Sequence, residues 1–329
     1  MKRRELLKVG ATGAIASLPA FTSYGHDSKN NTIENSTGGY LKFRLGKLEL
    51  LVVTDGHVLI SPAQPIIAPG IAKERVKAAM EDSFMLSDSV DAAINILVIR
   101  KGKKIIIIDT GSGAALGDQA GKFLENLMAT GIRPEEVTDI FITHLHVDHI
   151  GGILDAAGQQ VFQQANYHLS QLEYDFWMSA DPDFSKSKDT GSHTESIALA
   201  RKVIAAIQDK IQLFTIGETL FGCLKTALAA GHTPGHPTLT IFSEDQEMTH
   251  IVDTAHTSLL LLHPEWGTEW DTNFEEGVAT RQRILQEQAK SKELTMSCHL
   301  PWPGLGYIVQ KDEGFDWVPL SFSTPQLYG

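Results

Sequence analysis

One short segment constrains this 329-residue chain more than any other. Residues 143–152 (Thr-His-Leu-His-Val-Asp-His-Ile-Gly-Gly) place three imidazoles and one carboxylate within six positions. The apolar residues 140–142 before it have the pattern of a buried strand, and the two glycines at its end leave room for a helix to begin. Nitrogen donors with a single oxygen donor suit zinc better than calcium, magnesium or an iron–sulfur cluster. The segment therefore predicts a metal site on a loop between a strand and a helix, rather than a group of ordinary surface histidines.

Three more candidate ligands follow predicted strands further along the chain. His232 comes after the apolar run 224–230, Asp253 ends the β-branched run 249–252, and His299 comes just after the run 294–297. Donors from such distant segments can converge on a metal only in the folded protein, where the ends of strands meet at one edge of a sheet. We therefore expect an α/β fold in which strand ends carry the site.

These positions resemble the ligand set of the metallo-β-lactamase superfamily over residues 40–307. The order, the spacing and the Thr-Pro-Gly after His232 all agree with that family. The resemblance implies a four-layer αβ/βα sandwich that binds two zinc ions per chain. It implies that one ion is held by His144, His146 and His232, the other by Asp148, His149 and His299, and that Asp253 bridges both. It also implies that Asp109, in Ile-Ile-Ile-Ile-Asp-Thr-Gly, orients a ligand histidine; the alternative is an ordinary turn residue.

The resemblance implies hydrolysis by a hydroxide that the two ions share, without a serine or cysteine nucleophile. We predict Asp148 and His256 as catalytic residues. His256 stands three positions after Asp253, where acyl-homoserine-lactone lactonases of the superfamily carry a tyrosine. It is expected either to donate a hydrogen bond to the carbonyl or leaving oxygen, or to be a packing histidine.

Two further segments are informative: residues 298–307 (Cys-His-Leu-Pro-Trp-Pro-Gly-Leu-Gly-Tyr) and residues 173–177 (Glu-Tyr-Asp-Phe-Trp). Both resemble segments of one subgroup of the superfamily, the methyl-parathion-hydrolase-like enzymes. Trp177 is expected either to line the substrate pocket or to pack in the core. The predicted substrate is a small apolar lactone or an aryl or alkyl ester, with organophosphate triesters as a further class. The net charge of −12 argues against a nucleic acid.

A different class of enzyme uses part of the same scaffold. Mononuclear iron persulfide dioxygenases resemble this chain at His144, His146, His232 and Asp253 alone. We rank this function second, because Asp148, His149 and His299 also look available for a second ion. A non-catalytic binding protein is harder to reconcile with an intact ligand set.

The N-terminal region has its own pattern. Residues 1–25 combine Arg3-Arg4 with a short apolar run, and they resemble a twin-arginine export signal. The run is too short for a stable membrane anchor, so we predict a periplasmic protein. A polar linker is predicted at 26–39 and a single hydrolase domain at 40–329. Relatives in the subgroup are often homodimers, so the resemblance implies that state as well.

The remaining predictions concern the walls of the site and the other polar residues. Residues 61–70 and 176–194 are predicted to form two loops over the site. Amphipathic periodicity predicts cover helices around residues 124–128, 200–211 and 274–285. No disulfide is expected between Cys223 and Cys298, and Cys298 is expected to be a small buried residue rather than a ligand. His236 is expected to be structural, and five histidines are assigned to the surface or the core: His57, His168, His193, His250 and His263.

Overall fold

The computed structural model describes residues 39–86 and 88–321. The predicted signal peptide, and the predicted linker except for Gly39, lie outside the described residues. Within those ranges, no helix has both the length and the apolar character needed to cross a bilayer.

The strands of the described residues form two seven-stranded sheets. The first sheet follows chain order: β1 (Tyr40–Leu45), β2 (Leu48–Ile60), β3 (Val90–Lys101), β4 (Lys104–Ile108), β5 (Asp139–Ile142), β6 (Asn166–Ser170) and β7 (Ile211–Phe214). It is antiparallel from β1 to β4 and parallel from β4 to β7. The second sheet contains β8 (Thr219–Leu220), β9 (Leu224–Leu228), β10 (Pro237–Ser243), β11 (Gln246–His250), β12 (Leu294–Met296), β13 (Leu305–Lys311) and β14 (Gly314–Pro319). In the second sheet, β11 and β12 pair in parallel and the other neighbours pair antiparallel.

Helices cover the outer faces of both sheets. They are α1 (Lys73–Asp82), α2 (Phe123–Ala129), α3 (Val147–Ile150), α4 (Gln171–Met178), α5 (Thr194–Ile207), α6 (Leu259–Leu262) and α7 (Phe274–Ser291). Two of them begin with a side-chain cap, since Ser170 accepts a hydrogen bond from the Glu173 amide and Asn273 accepts one from the Glu276 amide. Among the described residues, short 3-10 helices lie at Pro134–Glu136, Gly151–Ile153 and Val252–Thr254.

The alternation of side chains along β2 explains the layers. Leu50 and Val52 face the second sheet and belong to a core cluster between the two sheets, whereas Leu51 and Val53 belong to the cluster under α2 and α5. A third cluster lies between the second sheet and the helices α1, α6 and α7. The predicted four-layer αβ/βα sandwich is therefore confirmed.

Three local predictions were wrong. The helix beside the histidine cluster begins at Val147 rather than at the glycine pair. The pair instead permits a close backbone approach, because a Cβ on Gly151 would lie 2.2 Å from the Ser112 carbonyl oxygen. Ile211 begins β7 and does not continue α5, and the strand predicted at 249–252 ends at His250.

Candidate metal centre

All seven predicted metal ligands lie at one edge of the sandwich. Each follows a strand: the cluster 144–149 follows β5, and the others follow three strands of the second sheet. His144, His149, His232, Asp253 and His299 are buried, and His146 and Asp148 are partly buried. The structure thus brings together side chains that are up to 155 positions apart in the sequence, His144 to His299.

The ligand atoms form two groups. In the first, His144, His146 and His232 present ring nitrogens that lie within 4.8 Å of one another, and His144 Nε2 is 3.1 Å from His146 Nδ1. The second group contains Asp148, His149, Asp253 and His299. Its histidine Nε2 atoms both lie 3.4 Å from Asp148 Oδ2.

Asp253 lies between the two groups. Its Oδ2 is 3.4 Å from His232 Nε2 and 3.1 Å from His299 Nε2, and its Oδ1 is 3.3 Å from His149 Nε2. The backbone just before it is strained, because Val252 is a β-branched residue with φ of +50°. His236 holds this segment by accepting a hydrogen bond from the Asp253 amide, so the predicted structural role of His236 agrees with its contacts.

In three of the ligand histidines, Nδ1 lies next to an oxygen acceptor on the side of the ring that faces away from the centre. His149 Nδ1 lies 2.8 Å from Asp109 Oδ2, His232 Nδ1 lies 3.0 Å from Asp271 Oδ1, and His299 Nδ1 lies 2.8 Å from the Ala93 carbonyl oxygen. A proton on Nδ1 satisfies each of these contacts and leaves the Nε2 lone pair directed inward. Asp109 therefore lies in the orienting position that the family resemblance implied.

The donors at the centre fit a bound cation. His149 Nε2, His232 Nε2 and Asp253 Oδ1 are buried and make no hydrogen bond within the described part of the chain. An unsatisfied buried polar atom costs roughly 1–3 kcal/mol, and bound metal ions at the two groups would satisfy all three. Cys298 Sγ lies near Asp109 and His149, but burial raises the pKa of its thiol well above the usual range. Imidazole and carboxylate donors with a protonated thiol suit zinc in an N/O site.

The charges of the centre also favour a cation. Burial alone would lower the pKa of His232, but the neighbouring carboxylates of Asp253 and Asp271 raise that pKa to about 9. The pKa of His149 and that of His299 are likewise raised against burial, mainly by Asp253. The carboxylates therefore attract positive charge into the centre, and protons occupy part of it when no metal is bound.

A cavity of about 260 Å³ opens above the two groups. Its apolar wall includes Val58, Ile60, Ile94, Trp177 and Phe184. The predicted wall at 176–194 is confirmed, because five of its residues line the cavity: Trp177, Phe184, Ser187, Asp189 and His193. His193 had been assigned to the surface or the core, which is wrong, since it stacks on Phe184 at 3.8 Å within this wall.

The predicted wall at 61–70 is wrong. Its apolar residues Ala63, Ile67 and Ala68 are buried in the cluster under α1 and α6, and none of them lines the cavity. The apolar character of this loop therefore serves core packing.

Trp177 fulfils both roles that the sequence left open. Its side chain is fully buried, it lines the cavity, and its ring lies edge-on to that of His146 at 5.9 Å.

His256 lies beside the second group and lines the cavity. Its ring is nearly parallel to that of His299, with centroids 5.1 Å apart, and its Nε2 is 3.3 Å from Asp253 Oδ2. Neither ring nitrogen makes a hydrogen bond among the described residues. Burial lowers the pKa of His256 to about 4, although Asp253 opposes the shift. His256 is therefore a neutral imidazole with a free nitrogen next to the candidate metal positions.

Sequence reasoning missed two buried acids behind the ligands. Asp271 contacts His232 and is paired with the buried Arg281 at 3.3 Å, while Glu173 contacts the loops that carry the histidines. Asp271 lies close to Glu269, and Glu173 lies in the aromatic segment 173–177, where Trp177 drew attention and the acid did not. Neither acid occurs at a ligand spacing that would distinguish it from a surface residue.

The other histidines lie away from the centre or behind it. His57 pairs with Asp91 at the surface, His168 pairs with Asp139 at 3.0 Å, and His263 stacks on Trp266. His250 is buried and accepts a hydrogen bond from the Val252 amide. Cys223 and Cys298 are both buried and free.

Comparison with known proteins identifies the family. Residues 90–299 match the family model described as the metallo-beta-lactamase superfamily, and the chain belongs to this superfamily. No curated protein matches the chain.

Several solved structures share the fold. AidC, described as a dizinc quorum-quenching lactonase in complex with a product, is 34% identical, with a TM-score of 0.83 over 87% of this chain and 99% of AidC. AbOPH, described as a hydrolase in the beta lactamase superfamily, is 27% identical, with a TM-score of 0.78 over 88% of this chain and 100% of AbOPH. A probable metal-dependent hydrolase from Staphylococcus aureus is 16% identical, with a TM-score of 0.68 over 86% of this chain and 100% of that protein, and it supports the fold alone.

Proposed function

We propose that this protein is a dinuclear zinc hydrolase that opens small apolar lactones or cleaves aryl and alkyl esters. One observation carries the proposal: seven donor side chains meet at the floor of an apolar cavity, with buried inward atoms that have no hydrogen-bond partner in the described residues. His144, His146 and His232 would hold one ion, Asp148, His149 and His299 the other, and Asp253 would contact both. When bound, the ions would acidify a water molecule at neutral pH and polarise the substrate oxygen.

The chain itself would orient the substrate and exclude water. The wall that contains Trp177 and Phe184 would bind the alkyl or aryl group, since apolar pockets gain affinity by removing such surface from water. His256 is neutral at pH 7, so one ring nitrogen can donate a hydrogen bond to the substrate oxygen while the other remains unprotonated.

Lactones and esters rank before phosphotriesters in this proposal. The similarity to AidC, a lactonase, supports a lactone, whereas the similarity to the hydrolase AbOPH does not favour one bond type over another. Organophosphate triesters remain the second substrate class, because the same centre can serve an in-line displacement.

The substrate class is tested with a panel of acyl-homoserine lactones, simple lactones, p-nitrophenyl esters and a paraoxon-like triester. The zinc-loaded protein is expected to turn over a lactone or an ester fastest, and Asp253→Asn is expected to lose that activity. Absence of turnover on every compound by a protein that carries zinc would exclude the proposal.

An iron persulfide dioxygenase is the competing function. It would not require Asp148, His149 and His299 to converge with the first group, and their convergence favours the hydrolase. Oxygen uptake on addition of a persulfide, by protein that carries iron, would support the competitor.

We also propose that the protein is exported, on the basis of the Arg3-Arg4 segment alone. Replacing both arginines by lysine should retain the full-length precursor inside the cell. Unchanged periplasmic delivery of this variant would contradict a twin-arginine signal.

A further inference from the structure

A buried carboxylate lies outside the ligand set and contacts neither candidate metal position. Glu173 is on α4, and its side chain has no solvent exposure. Burial raises the pKa of this carboxyl group, and four hydrogen bonds oppose that shift. Burying a carboxylate is expensive unless its oxygens are satisfied, so the identity of its four donors matters.

The four donors come from three segments. Glu173 Oε1 accepts from the Leu145 amide at 3.1 Å and from Trp177 Nε1 at 2.7 Å. Glu173 Oε2 accepts from the Thr233 hydroxyl at 2.7 Å and from the Gly235 amide at 3.0 Å. Each oxygen therefore binds a different part of the centre.

The positions of these donors connect the two loops of the first ligand group. Leu145 lies between His144 and His146, and Thr233 directly follows His232. One carboxylate group thus joins the loop after β5 to the loop after β9. The approach of the second loop is tight, because a Cβ on Gly235 would lie 2.4 Å from the Glu173 amide nitrogen.

From these contacts we infer that Glu173 is a positioning residue. It fixes the distance between the two loops that supply the first ligand group, called here the three-histidine group (His144, His146 and His232). It also holds Trp177 in the wall of the cavity. The inference rests on the proposed metal-dependent function. Glu173 acts through Leu145, Thr233 and Gly235, and it is not a ligand itself. A group that fixes ligand geometry in this way contributes to metal affinity without touching the metal.

The substitution Glu173→Gln tests this role with little change in volume. Glutamine replaces one acceptor oxygen with an NH₂ group that only donates. The Thr233 hydroxyl can reverse its role and accept, whereas the Leu145 amide and the Trp177 indole cannot. We therefore expect the glutamine NH₂ to face Thr233 and Gly235, which leaves the Gly235 amide without an acceptor and loosens the loop that carries His232.

Two further variants complete the design. Asp175→Asn is the matched control, because Asp175 is an exposed carboxylate on the same helix whose hydrogen-bond partner is Gln171. Thr233→Val removes one of the four donors and is a milder version of the same change.

The measurement is a titration of the metal-free full-length protein with Co²⁺, followed by its absorption spectrum and by calorimetry. The binding step of the three-histidine group is identified as the one that His232→Ala removes. In Glu173→Gln this step should weaken roughly tenfold, the lower end of the range for groups that orient a ligand directly, and its cobalt spectrum should change at full occupancy. Thr233→Val should shift the same step less, and Asp175→Asn should match the wild type.

A merely structural role would lower the melting temperature without moving the cobalt step. Unchanged cobalt affinity and spectrum in Glu173→Gln would therefore overturn the inference, whatever its stability. If that variant fails to fold, an unchanged cobalt step in Thr233→Val would overturn it instead. The two proposals can fail separately. If Glu173→Gln binds cobalt more weakly than the wild type does, but the wild type hydrolyses no compound of the panel, only the proposed function is contradicted.

Discussion

The substitution Asp109→Asn isolates the orientation of one ligand from the rest of the centre. Asp109 has φ of +65°, a conformation that asparagine also adopts readily, so the backbone should tolerate the change. Its Oδ2 lies 2.8 Å from His149 Nδ1 and accepts from the Thr143 hydroxyl, and its Oδ1 accepts from the Thr143 amide at 2.8 Å. If the asparagine oxygen remains on the Thr143 amide, its NH₂ group faces His149 and requires His149 Nδ1 to accept.

That requirement moves the His149 proton to Nε2, the atom that faces Asp148 at 3.4 Å and Asp253 at 3.3 Å. A protonated Nε2 cannot bind a metal. The alternative amide orientation would place NH₂ against the Thr143 amide, which is a contact between two donors. Loss of an orienting group costs about 10- to 100-fold in metal affinity, or about 1.4 to 2.8 kcal/mol.

The assay is chelator competition on the zinc-loaded protein, with both ions followed. Asp109→Asn should weaken the ion of the second group and leave the three-histidine group nearly unchanged. Asp271→Asn is the companion variant, because Asp271 contacts His232, and it should weaken the other ion. The reasoning would be refuted if Asp109→Asn kept wild-type affinity for both ions, or if it released the ion of the three-histidine group first.

Three further predictions concern the same centre. Removing the metal with a chelator should abolish hydrolysis. Adding zinc back at about 100 times its Kd should raise the free energy of unfolding, measured by denaturant titration, by about 2.7 kcal/mol per ion. Equal stability with and without zinc would contradict ion binding to the folded state. His256→Phe should lower kcat roughly 100-fold while the zinc content measured by elemental analysis stays that of the wild type, and an unchanged kcat would reduce His256 to a packing residue. The pKa of His232 is about 9 without metal, so this side chain carries a proton below that pH and must lose it when a metal binds. The metal affinity of the three-histidine group should therefore rise about tenfold per pH unit from about 7 to 9. Calorimetry at pH 7 in buffers of different ionisation enthalpy should detect at least one released proton, and zero release would contradict the raised pKa of His232.

The ligand positions could be predicted because each follows a recognisable strand. The cluster after β5 is a local motif, and His232, Asp253 and His299 follow strand-like runs that can be recognised without knowledge of the fold. The four-layer arrangement was implied by the resemblance to the superfamily.

The groups behind the ligands could not be predicted in this way. Asp271 and Glu173 acquire their roles only when α7 and α4 pack against the ligand loops, and neither acid stands at a spacing that predicts such a role. His193 is similar, since only the folded wall places its ring on Phe184.

The extent of β2 shows a second limit. The mainly apolar run that begins at Leu48 ends at Val53, but β2 continues to Ile60. Polar residues and Gly56 interrupt the pattern, and the pairing with β3 shifts register between Thr54 and Gly56. A bulge of this kind lets Asp55 turn toward the loops near the site, where it accepts hydrogen bonds from Ser112 and Phe123.

The central claim is that the two donor groups bind two ions that share Asp253. The most direct measurement is elemental analysis of purified wild-type protein, alongside the variant His299→Ala. The account predicts two zinc ions per chain for the wild type and loss of the ion of the second group in the variant. One iron per chain in the wild type, with the same content in His299→Ala, would contradict it.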